Sequence, residues 1–238
     1  MISMKNIGIV IPAWNEEQDI HLVLNAVLPV EWIAQIVVVD DGSSDKTLEI
    51  AQGFMRDYPK LIVEHLPENH GKGAAMLAGL RTLPKEIETV IFIDADLVGL
   101  TEDHLKIIYE PIQKEKCEMS VAIFKKGHWR TDISQRFAPN LNGQRCLPRV
   151  AAENALELFA ECGYGVEIGV TLYARQKRWR IKYVNWFGMT HKLKESKLGL
   201  IEGYRIRAIM YQQIISTWYR VWWQEKKDNW IAAKQSGD

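Results

Sequence analysis

The stretch that decides the fold is Val90-Ile91-Phe92-Ile93-Asp94-Ala95-Asp96, residues 90–96. Its four consecutive apolar residues are typical of a strand covered on both faces, as in the interior of a parallel sheet. Two aspartates follow the run at once. Because ligands of open α/β sheets bind beyond the carboxyl ends of the strands, these carboxylates are expected at a binding site. Taken alone, Asp-x-Asp also suits a turn that caps the next helix, and that alternative stays open.

Similar apolar runs alternate with helical patterns through the first 125 residues. This β-α-β-α order predicts an α/β fold with a mostly parallel sheet, flanking helices and right-handed crossovers. The predicted strands are Ile7–Ile11, Ile36–Val39, Leu61–His65, Val90–Ile93 and Met119–Phe124. The predicted helices begin at Asn15 as a cap, at Ser44 or Asp45, at Gly71 with an apolar face of Ala74, Leu77, Ala78 and Leu80, and at Glu102.

The pattern changes after Phe124. A polar stretch, 125–142, predicts a long loop, and loops of that length are usually functional or disordered. Two helices, a strand and a long amphipathic helix are expected to follow, at Arg149–Glu161, Val166–Lys177, Ile181–Trp186 and about Glu202–Lys227. We therefore predict a catalytic domain at 1–201 and a C-terminal helical extension at 202–238.

The composition limits the classes of protein to which this chain can belong. The 238 residues have a formal net charge of zero and are 47% hydrophobic, which allows a large core. Acidic residues outnumber basic ones in the first half and the reverse holds in the second. This suits a metal site and a phosphate-binding surface, or simply two solvated faces. Three cysteines without a Cys-x-x-Cys pair indicate a reducing compartment. With no long apolar segment, we expect a cytoplasmic protein, peripheral at most on a membrane, without a nucleic-acid partner.

Carboxylates follow two further predicted strands. Asp40 and Asp41 end the second strand, and Glu16 and Glu17 follow the first. If they gathered at one rim without partners, they would repel one another and their pKa values would rise. A bound Mg²⁺ or Mn²⁺ would relieve that repulsion, because both ions prefer oxygen ligands and leave positions open for phosphates.

Four motifs in series carry a family resemblance: IPAWNEE (11–17), VVVDDGSSDKT (37–47), NHGKGAAMLAGL (69–80) and DADL (94–97). In this order and spacing they resemble family 2 glycosyltransferases of the A-type fold, over about the first 125 residues. Further on, NGQR (142–145) and GYGVE (163–167) resemble the acceptor-side motifs of polyprenyl-phosphate sugar transferases and glucosyl-phosphoglycerate synthases.

The resemblance implies roles for individual residues. Leu97-Val98-Gly99-Leu100 departs from the family because it lacks the proline often found there, so the edge of the sugar pocket is not predicted. The implied nucleotide contacts are Pro12, Trp14 and Glu16, and Asp41 or its neighbour Asp40 is implied to read the base. Lys72 is implied to bind the nucleotide-sugar. The residues implied to bind the metal and the diphosphate are Asp94, Ala95 and Asp96.

Lys72 also has a physical interpretation of its own. A glycine on each side lets the backbone approach a phosphate, and the following helix presents its N-terminus to the anion. A solvated lysine in a tight turn is the alternative.

Three residues outside the first 125 are candidates for the chemistry. In some relatives a histidine placed like His191 completes the metal shell with the aspartates. Glu167 is the candidate catalytic carboxylate. It would accept the acceptor's proton in an inverting reaction, or orient an acceptor that is already ionised. Arg145 suits an anionic acceptor because its planar fork binds phosphate in a bidentate manner. Arg130, Arg136 and Arg149 lie near it in sequence.

The expected function is transfer of a hexose from a GDP- or UDP-sugar to an anionic acceptor, with polyprenyl phosphate as a candidate. Asp96 would hold the metal that neutralises the leaving diphosphate. A nucleotidyltransferase is the alternative enzyme, although the loop after the first strand is acidic here rather than basic and glycine-rich. A non-catalytic sugar-nucleotide-binding subunit is the third hypothesis. The C-terminal helix is expected to pack on the domain, or to contact a membrane interface or a protein partner.

Overall fold

The computed structural model describes residues 6–125 and 143–191, together with Ser216, Tyr219, Trp223 and Lys226. The first described stretch contains β1 Ile7–Ala13, α1 Ile20–Val27, β2 Gln35–Asp41, α2 Thr47–Gly53, β3 Leu61–Leu66, α3 Lys72–Thr82, β4 Thr89–Phe92, β5 Leu97–Val98, α4 Glu102–Gln113 and β6 Met119–Lys125. The second contains β7 Arg145–Pro148, α5 Arg149–Phe159, a 3₁₀ helix Ala160–Gly165, α6 Val166–Gln176, β8 Ile181–Phe187 and β9 Thr190–His191.

The main sheet has seven strands in the order β3-β2-β1-β4-β7-β6-β8. Strands β1 to β4 are parallel neighbours, and β8 is parallel to β6. Strand β7 runs antiparallel to both β4 and β6. A separate antiparallel ribbon joins β5 to β9. The predicted mostly parallel α/β sheet is confirmed, whereas β7, β5 and β9 were not predicted.

Helices cover both faces of the sheet. Along β1, Ile9 and Ile11 pack with α1, α2 and α4, whereas Val10 packs with α3, α5 and α6. All three side chains are fully buried. Full burial of one such side chain contributes about 1.5–3 kcal/mol relative to exposure. This two-sided burial explains why these strands are continuous apolar runs rather than alternating ones.

Helix α3 begins one residue after its predicted start at Gly71. Of its predicted apolar face, Leu80 is fully buried and Leu77 and Ala78 are half-buried against the core, whereas Ala74 is not part of that core cluster. The buried residues are Gly73, Ala75, Met76, Gly79 and Leu80. A Cβ on Gly79 would lie 2.5 Å from Val10 Cγ1, and a Cβ on Gly73 would lie 2.4 Å from the carbonyl oxygen of Ala160. The helix therefore packs through its glycines, which bring its backbone close to the sheet and to the 3₁₀ helix.

The predicted boundary at residue 201 lies outside the described residues. So does the predicted loop at 125–142 except for its first residue, Lys125, which ends β6. Of the C-terminal extension, the four described residues have helical backbone, and Tyr219 and Trp223 are exposed. Within the described part of the chain, no helix has the length and apolar character needed to cross a membrane.

Candidate functional site

Three charged side chains meet at the carboxyl end of β4. The ammonium of Lys72 donates to Asp94 Oδ1 and to Glu167 Oε1, each at 2.5 Å. The other oxygen of Asp94 accepts a hydrogen bond from Gln144 Nε2 at 2.7 Å. The Glu167 side chain is only 6% exposed, and those of Lys72 and Asp94 are 18% exposed. We call Lys72, Asp94, Glu167 and Gln144 the Lys72 cluster.

Four separate elements supply these residues. Lys72 begins α3, Asp94 follows β4, Gln144 precedes β7 and Glu167 lies in the first turn of α6. Gly143 completes the arrangement, because a Cβ there would lie 2.5 Å and 2.6 Å from the two Asp94 carboxylate oxygens and 2.6 Å from Lys72 Nζ. A side chain at position 143 would therefore displace the charged groups of the Lys72 cluster.

The charges within the cluster compensate one another. Burial acts to lower the pKa of Lys72, but Asp94 and Glu167 overcome that effect and hold the pKa above its ordinary value. Lys72 therefore stays protonated through the physiological range. A buried group of this kind is stable only as a set, since removal of one partner leaves an uncompensated charge.

Arg145 lies beneath this cluster. It is fully buried in β7, and its Nη1 donates to the backbone carbonyl of Glu167 at 3.0 Å. Burial lowers its pKa, opposed by the charges of Glu167 and Asp94. The prediction that Arg145 contacts an anionic acceptor directly is not supported, because the side chain has no exposed surface. Its position instead anchors the start of α6, and with it Glu167.

Arg149 has a structural role as well. Its guanidinium donates to the carbonyl oxygens of Leu80 and Leu83, each at 3.1 Å, and so satisfies the C-terminal end of α3. Arg130 and Arg136, the other arginines expected near an anionic acceptor, lie outside the described residues.

The aspartates at the end of β2 have partners of their own. Asp41 accepts hydrogen bonds from the backbone N–H groups of His70 and Gly71, both at 2.8 Å. Asp40 is fully buried and contacts His65 Nδ1 at 2.8 Å. The predicted repulsion applied to carboxylates without partners, and this pair does not meet that condition. Asp41 instead fixes the loop that delivers Lys72.

The loop after β1 is bound to the loop after β2. The backbone N–H of Asn15 donates to Ser43 Oγ at 2.9 Å, and that of Glu16 donates to Thr47 Oγ1 at 2.7 Å. Asn15 does not cap α1, which begins only at Ile20. Trp14 is exposed at this rim.

The backbone of Pro12 pairs with that of Val39 next to Asp40. The β1 residues that are expected to contact a nucleotide therefore lie at the same rim of the sheet as the carboxyl end of β2.

Asp96 and His191 are brought near each other by the β5–β9 ribbon. Asp96 is half-buried and immediately precedes β5, after the buried Ala95. The backbone of His191 pairs opposite Leu97, the residue after Asp96. Nothing is described of the His191 side chain. Among the residues whose side chains are described, no group of three or more His, Cys, Asp or Glu side chains could hold a metal ion.

Gln144 and Gly143 are site residues that had no predicted role. Both fall in the NGQR motif, yet neither carries a charge that would single it out. The sequence offered no signal for them, because the strand that follows them, β7, was itself not predicted.

The family model for glycosyl transferase family 2 matches residues 8–145, more than half of the chain and including β4, Asp94 and Gly143. The chain belongs to glycosyl transferase family 2. The resemblance read from the four motifs is therefore confirmed.

Two enzymes illustrate the similarity of this family 2 chain to its relatives. It is 32% identical over 118 residues to dolichyl-phosphate beta-glucosyltransferase ALG5A of Trichomonas vaginalis, covering 46% of this chain and 34% of that protein. It is 25% identical over 173 residues to undecaprenyl-phosphate 4-deoxy-4-formamido-L-arabinose transferase of Photorhabdus laumondii, covering 67% of this chain and 53% of that protein. The chain thus spans between a third and about half of these relatives.

Among solved structures, the chain is similar to glucosyl-3-phosphoglycerate synthase from Mycobacterium tuberculosis in complex with Mn²⁺, uridine diphosphate and glucosyl-3-phosphoglycerate. The TM-score is 0.68 at 21% identity, covering 91% of this chain and 80% of the other. At this identity the likeness establishes a shared fold, in agreement with the predicted A-type architecture.

Proposed function

We propose that this family 2 chain transfers a hexosyl group from a nucleotide-sugar to a phosphorylated acceptor, with the help of a divalent cation. The observation that carries the proposal is the Lys72 cluster at the carboxyl rim of the sheet. It brings one cation and two carboxylates together where α/β sheets bind ligands. The cluster is largely buried, yet Lys72 and Asp94 retain exposed surface that a ligand can contact.

The nucleotide is assigned to the neighbouring rim of β1 and β2. Trp14 offers an exposed aromatic face there for stacking. Pro12 and Glu16 flank it on the same chain segment, and Asp40 and Asp41 end the adjacent strand. Because both oxygens of Asp41 are bound to backbone amides, the role the geometry supports for Asp41 is to position the loop before Lys72.

We propose a divalent metal at Asp96. Asp96 is half-buried directly before β5 and completes the Asp-x-Asp pair after β4, and a carboxylate is a ligand that Mg²⁺ and Mn²⁺ prefer. His191 is the proposed second ligand, because its backbone lies opposite the residue that follows Asp96. When bound, Mg²⁺ or Mn²⁺ would neutralise charge on the departing diphosphate. The related solved synthase, which binds Mn²⁺ and uridine diphosphate, supports this assignment.

Asp94 and Glu167 are proposed to orient the transferred sugar. Ionised carboxylates accept hydrogen bonds from hydroxyl groups, and Lys72 keeps both of them in place. Because Glu167 Oε1 already accepts from Lys72, orientation suits Glu167 better than proton abstraction. An ionised phosphate acceptor needs no general base, which agrees with that assignment.

The acceptor is proposed to be polyprenyl phosphate. The relatives named for dolichyl phosphate and undecaprenyl phosphate support a lipid-linked phosphate. On the C-terminal extension, Tyr219 and Trp223 are exposed and stacked with ring centroids 6.4 Å apart. Lys226 continues this helical spacing. Aromatic rings beside a lysine suit the membrane–water interface, so we assign the protein to the cytoplasmic face of a membrane.

The test is a donor and acceptor screen on the full chain. UDP- and GDP-hexoses are offered with Mn²⁺ and either polyprenyl phosphate in vesicles or 3-phosphoglycerate. Release of a nucleoside diphosphate that depends on one donor and on polyprenyl phosphate supports the proposal. Release of pyrophosphate indicates nucleotidyl transfer, and donor binding without any release indicates a non-catalytic subunit.

Asp96→Asn is the matched control for the metal. It should bind donor more weakly in the presence of Mn²⁺ while its melting temperature without metal stays close to that of the wild type. Membrane contact is tested separately by flotation with anionic vesicles. The double variant Tyr219→Ala/Trp223→Ala should remain in the soluble fraction, and flotation equal to the wild type would contradict the assignment.

A further inference from the structure

His104 connects two parts of the chain that flank the proposed metal site. It lies in the first turn of α4, shortly after β5, and its Nε2 lies 2.9 Å from the carbonyl oxygen of Phe187 at the end of β8. Residues 188 and 189 lead from there directly into β9. The contact therefore joins the segment that follows Asp96 to the segment that precedes His191.

The hydrogen bonds of His104 define its tautomer. Nδ1 lies 3.2 Å from the backbone N–H of Thr101 and 2.8 Å from Thr101 Oγ1, so it accepts from both donors. A carbonyl oxygen only accepts, so Nε2 carries the ring hydrogen and donates a hydrogen bond to the Phe187 carbonyl oxygen. One neutral imidazole thus caps the start of α4 on one side and holds the β8–β9 turn on the other.

The packing around His104 makes the turn a close-fitting unit. The imidazole lies against the fully buried indole of Trp186, with ring centroids 5.2 Å apart. Gly99 and Gly188 both have positive φ. A Cβ on Gly99 would lie 2.9 Å from the Gly188 carbonyl oxygen. The backbone before α4 and the backbone before β9 therefore touch directly, and the His104–Phe187 hydrogen bond connects the same two segments.

We propose that His104 is a positioning residue for the metal site, one that sets β9 against β5 and so places His191 relative to Asp96. This inference rests on the metal site in the proposed function. Helix α4 is firmly packed, with Leu105 and Ile108 fully buried. The His104–Phe187 hydrogen bond therefore ties the turn before β9 to a well-packed helix.

The test compares variants that distinguish the hydrogen bond made by Nε2 from the hydrogen bonds made by Nδ1. In His104→Asn, the amide oxygen can still accept from the Thr101 N–H, but the shorter side chain does not reach Phe187. In His104→Gln, a longer amide can supply both an acceptor and a donor. Thr101→Ala weakens the cap while the connection to Phe187 remains, and it serves as the control for a purely structural effect.

Binding of Mn²⁺ in the presence of uridine diphosphate is followed by the loss of the electron paramagnetic resonance signal of free Mn²⁺. We expect about 10-fold weaker binding for His104→Asn, in line with losses on removal of outer-shell support. His104→Gln should recover most of the affinity. Thr101→Ala should melt at a lower temperature and still bind Mn²⁺ within about twofold of the wild type, because only its helix cap has changed.

Two results overturn the inference in distinguishable ways. If the wild type binds Mn²⁺ and folded His104→Asn binds it equally well, His104 does not position the site. If the wild type binds no Mn²⁺, or Asp96→Asn binds it as well as the wild type does, the proposed metal site fails and the inference fails with it.

Discussion

The rim formed by the central strands β2, β1, β4 and β7 binds its carboxylates differently at its two ends. At the β1–β2 end, Asp41 is bound by two backbone N–H groups and Asp40 contacts a histidine. At the β4–β7 end, Asp94 is bound by the side chains of Lys72 and Gln144. Backbone amides cannot move away from a carboxylate without unfolding the loop, whereas a lysine and a glutamine can turn toward a ligand. The first end is therefore a rigid support, and the second is suited to exchange its partners for a substrate.

The variant with the largest expected effect on this contrast is Lys72→Met. The change leaves Asp94 and Glu167 facing each other without a cation, which should lower the free energy of unfolding by about 3 kcal/mol. Transfer activity should fall on the order of 100-fold or more, since a displaced contact at the reacting sugar is costly. Urea unfolding and nucleoside diphosphate release measure the two effects.

The matched control for that variant is Lys106→Met. Lys106 pairs with Glu102 on the exposed face of α4, so neither quantity should change measurably. Equal loss of activity in both lysine variants would contradict a special role for the Lys72 cluster.

Gly143→Ala sharpens the comparison by changing one end of the rim alone. The added methyl group would crowd the Asp94 carboxylate and the Lys72 ammonium, so the cluster must shift. We expect activity to fall about 10-fold or more. An Asp41-dependent property, such as protection of the His70 amide from hydrogen exchange, should stay as in the wild type. Loss of that protection would mean that the two ends are not independent.

Asp41→Asn tests the rigid end. The amide retains one acceptor oxygen and places an NH₂ group against a backbone N–H, so one hydrogen bond to a charged group is lost. Such bonds contribute about 1.5–3 kcal/mol, and we expect a loss of roughly 2 kcal/mol in urea unfolding. Activity should fall less than in Lys72→Met, mainly through a higher KM for the donor. A fall in kcat alone, with stability unchanged, would place Asp41 among the reacting groups instead.

The smallest expected effect concerns the buried thiol groups of Cys117 and Cys146. Burial raises the pKa values of Cys146 and Cys117. A folded-state pKa above the unfolded value means that the folded protein holds its proton more tightly. Stability is therefore retained below about pH 8.5 and declines as the pH rises beyond it. The melting temperature should fall between pH 8 and pH 10, with a shallower slope in Cys146→Ala. An identical slope in that variant would assign the decline to other groups.

The strands that could be predicted are those whose own sequence indicates burial on both faces. The centres of β1, β2 and β4 are continuous apolar runs because both faces are covered, and this signal is local. Strand β7, Arg145–Pro148, has no such signal, because it is four residues long and begins with an arginine. Its strand character depends on pairing with β4 and β6, which the local sequence does not encode.

The features of the site also divide into those that the sequence predicts and those that it does not. Asp94 and Asp96 were identified from their position after a strand, and Lys72 and Glu167 from family motifs. Their mutual contacts were not predicted, because Lys72 meets partners 22 and 95 residues away. The burial of Arg145 could not be predicted for a related reason. An arginine in a motif has the same chemistry whether it is exposed or, as here, fully buried.

The central position of β7 has a consequence for how the chain folds during synthesis. Strands β1 to β4 emerge from the ribosome first and can pair among themselves, but the open side of β4 waits for a partner until residue 148 has been made. Strand β6 is translated earlier than β7 yet cannot fill the gap, because its neighbours in the finished sheet are β7 and β8. The nascent chain therefore carries an unprotected apolar strand edge through the synthesis of its middle third, the interval in which chaperones would be most needed against aggregation.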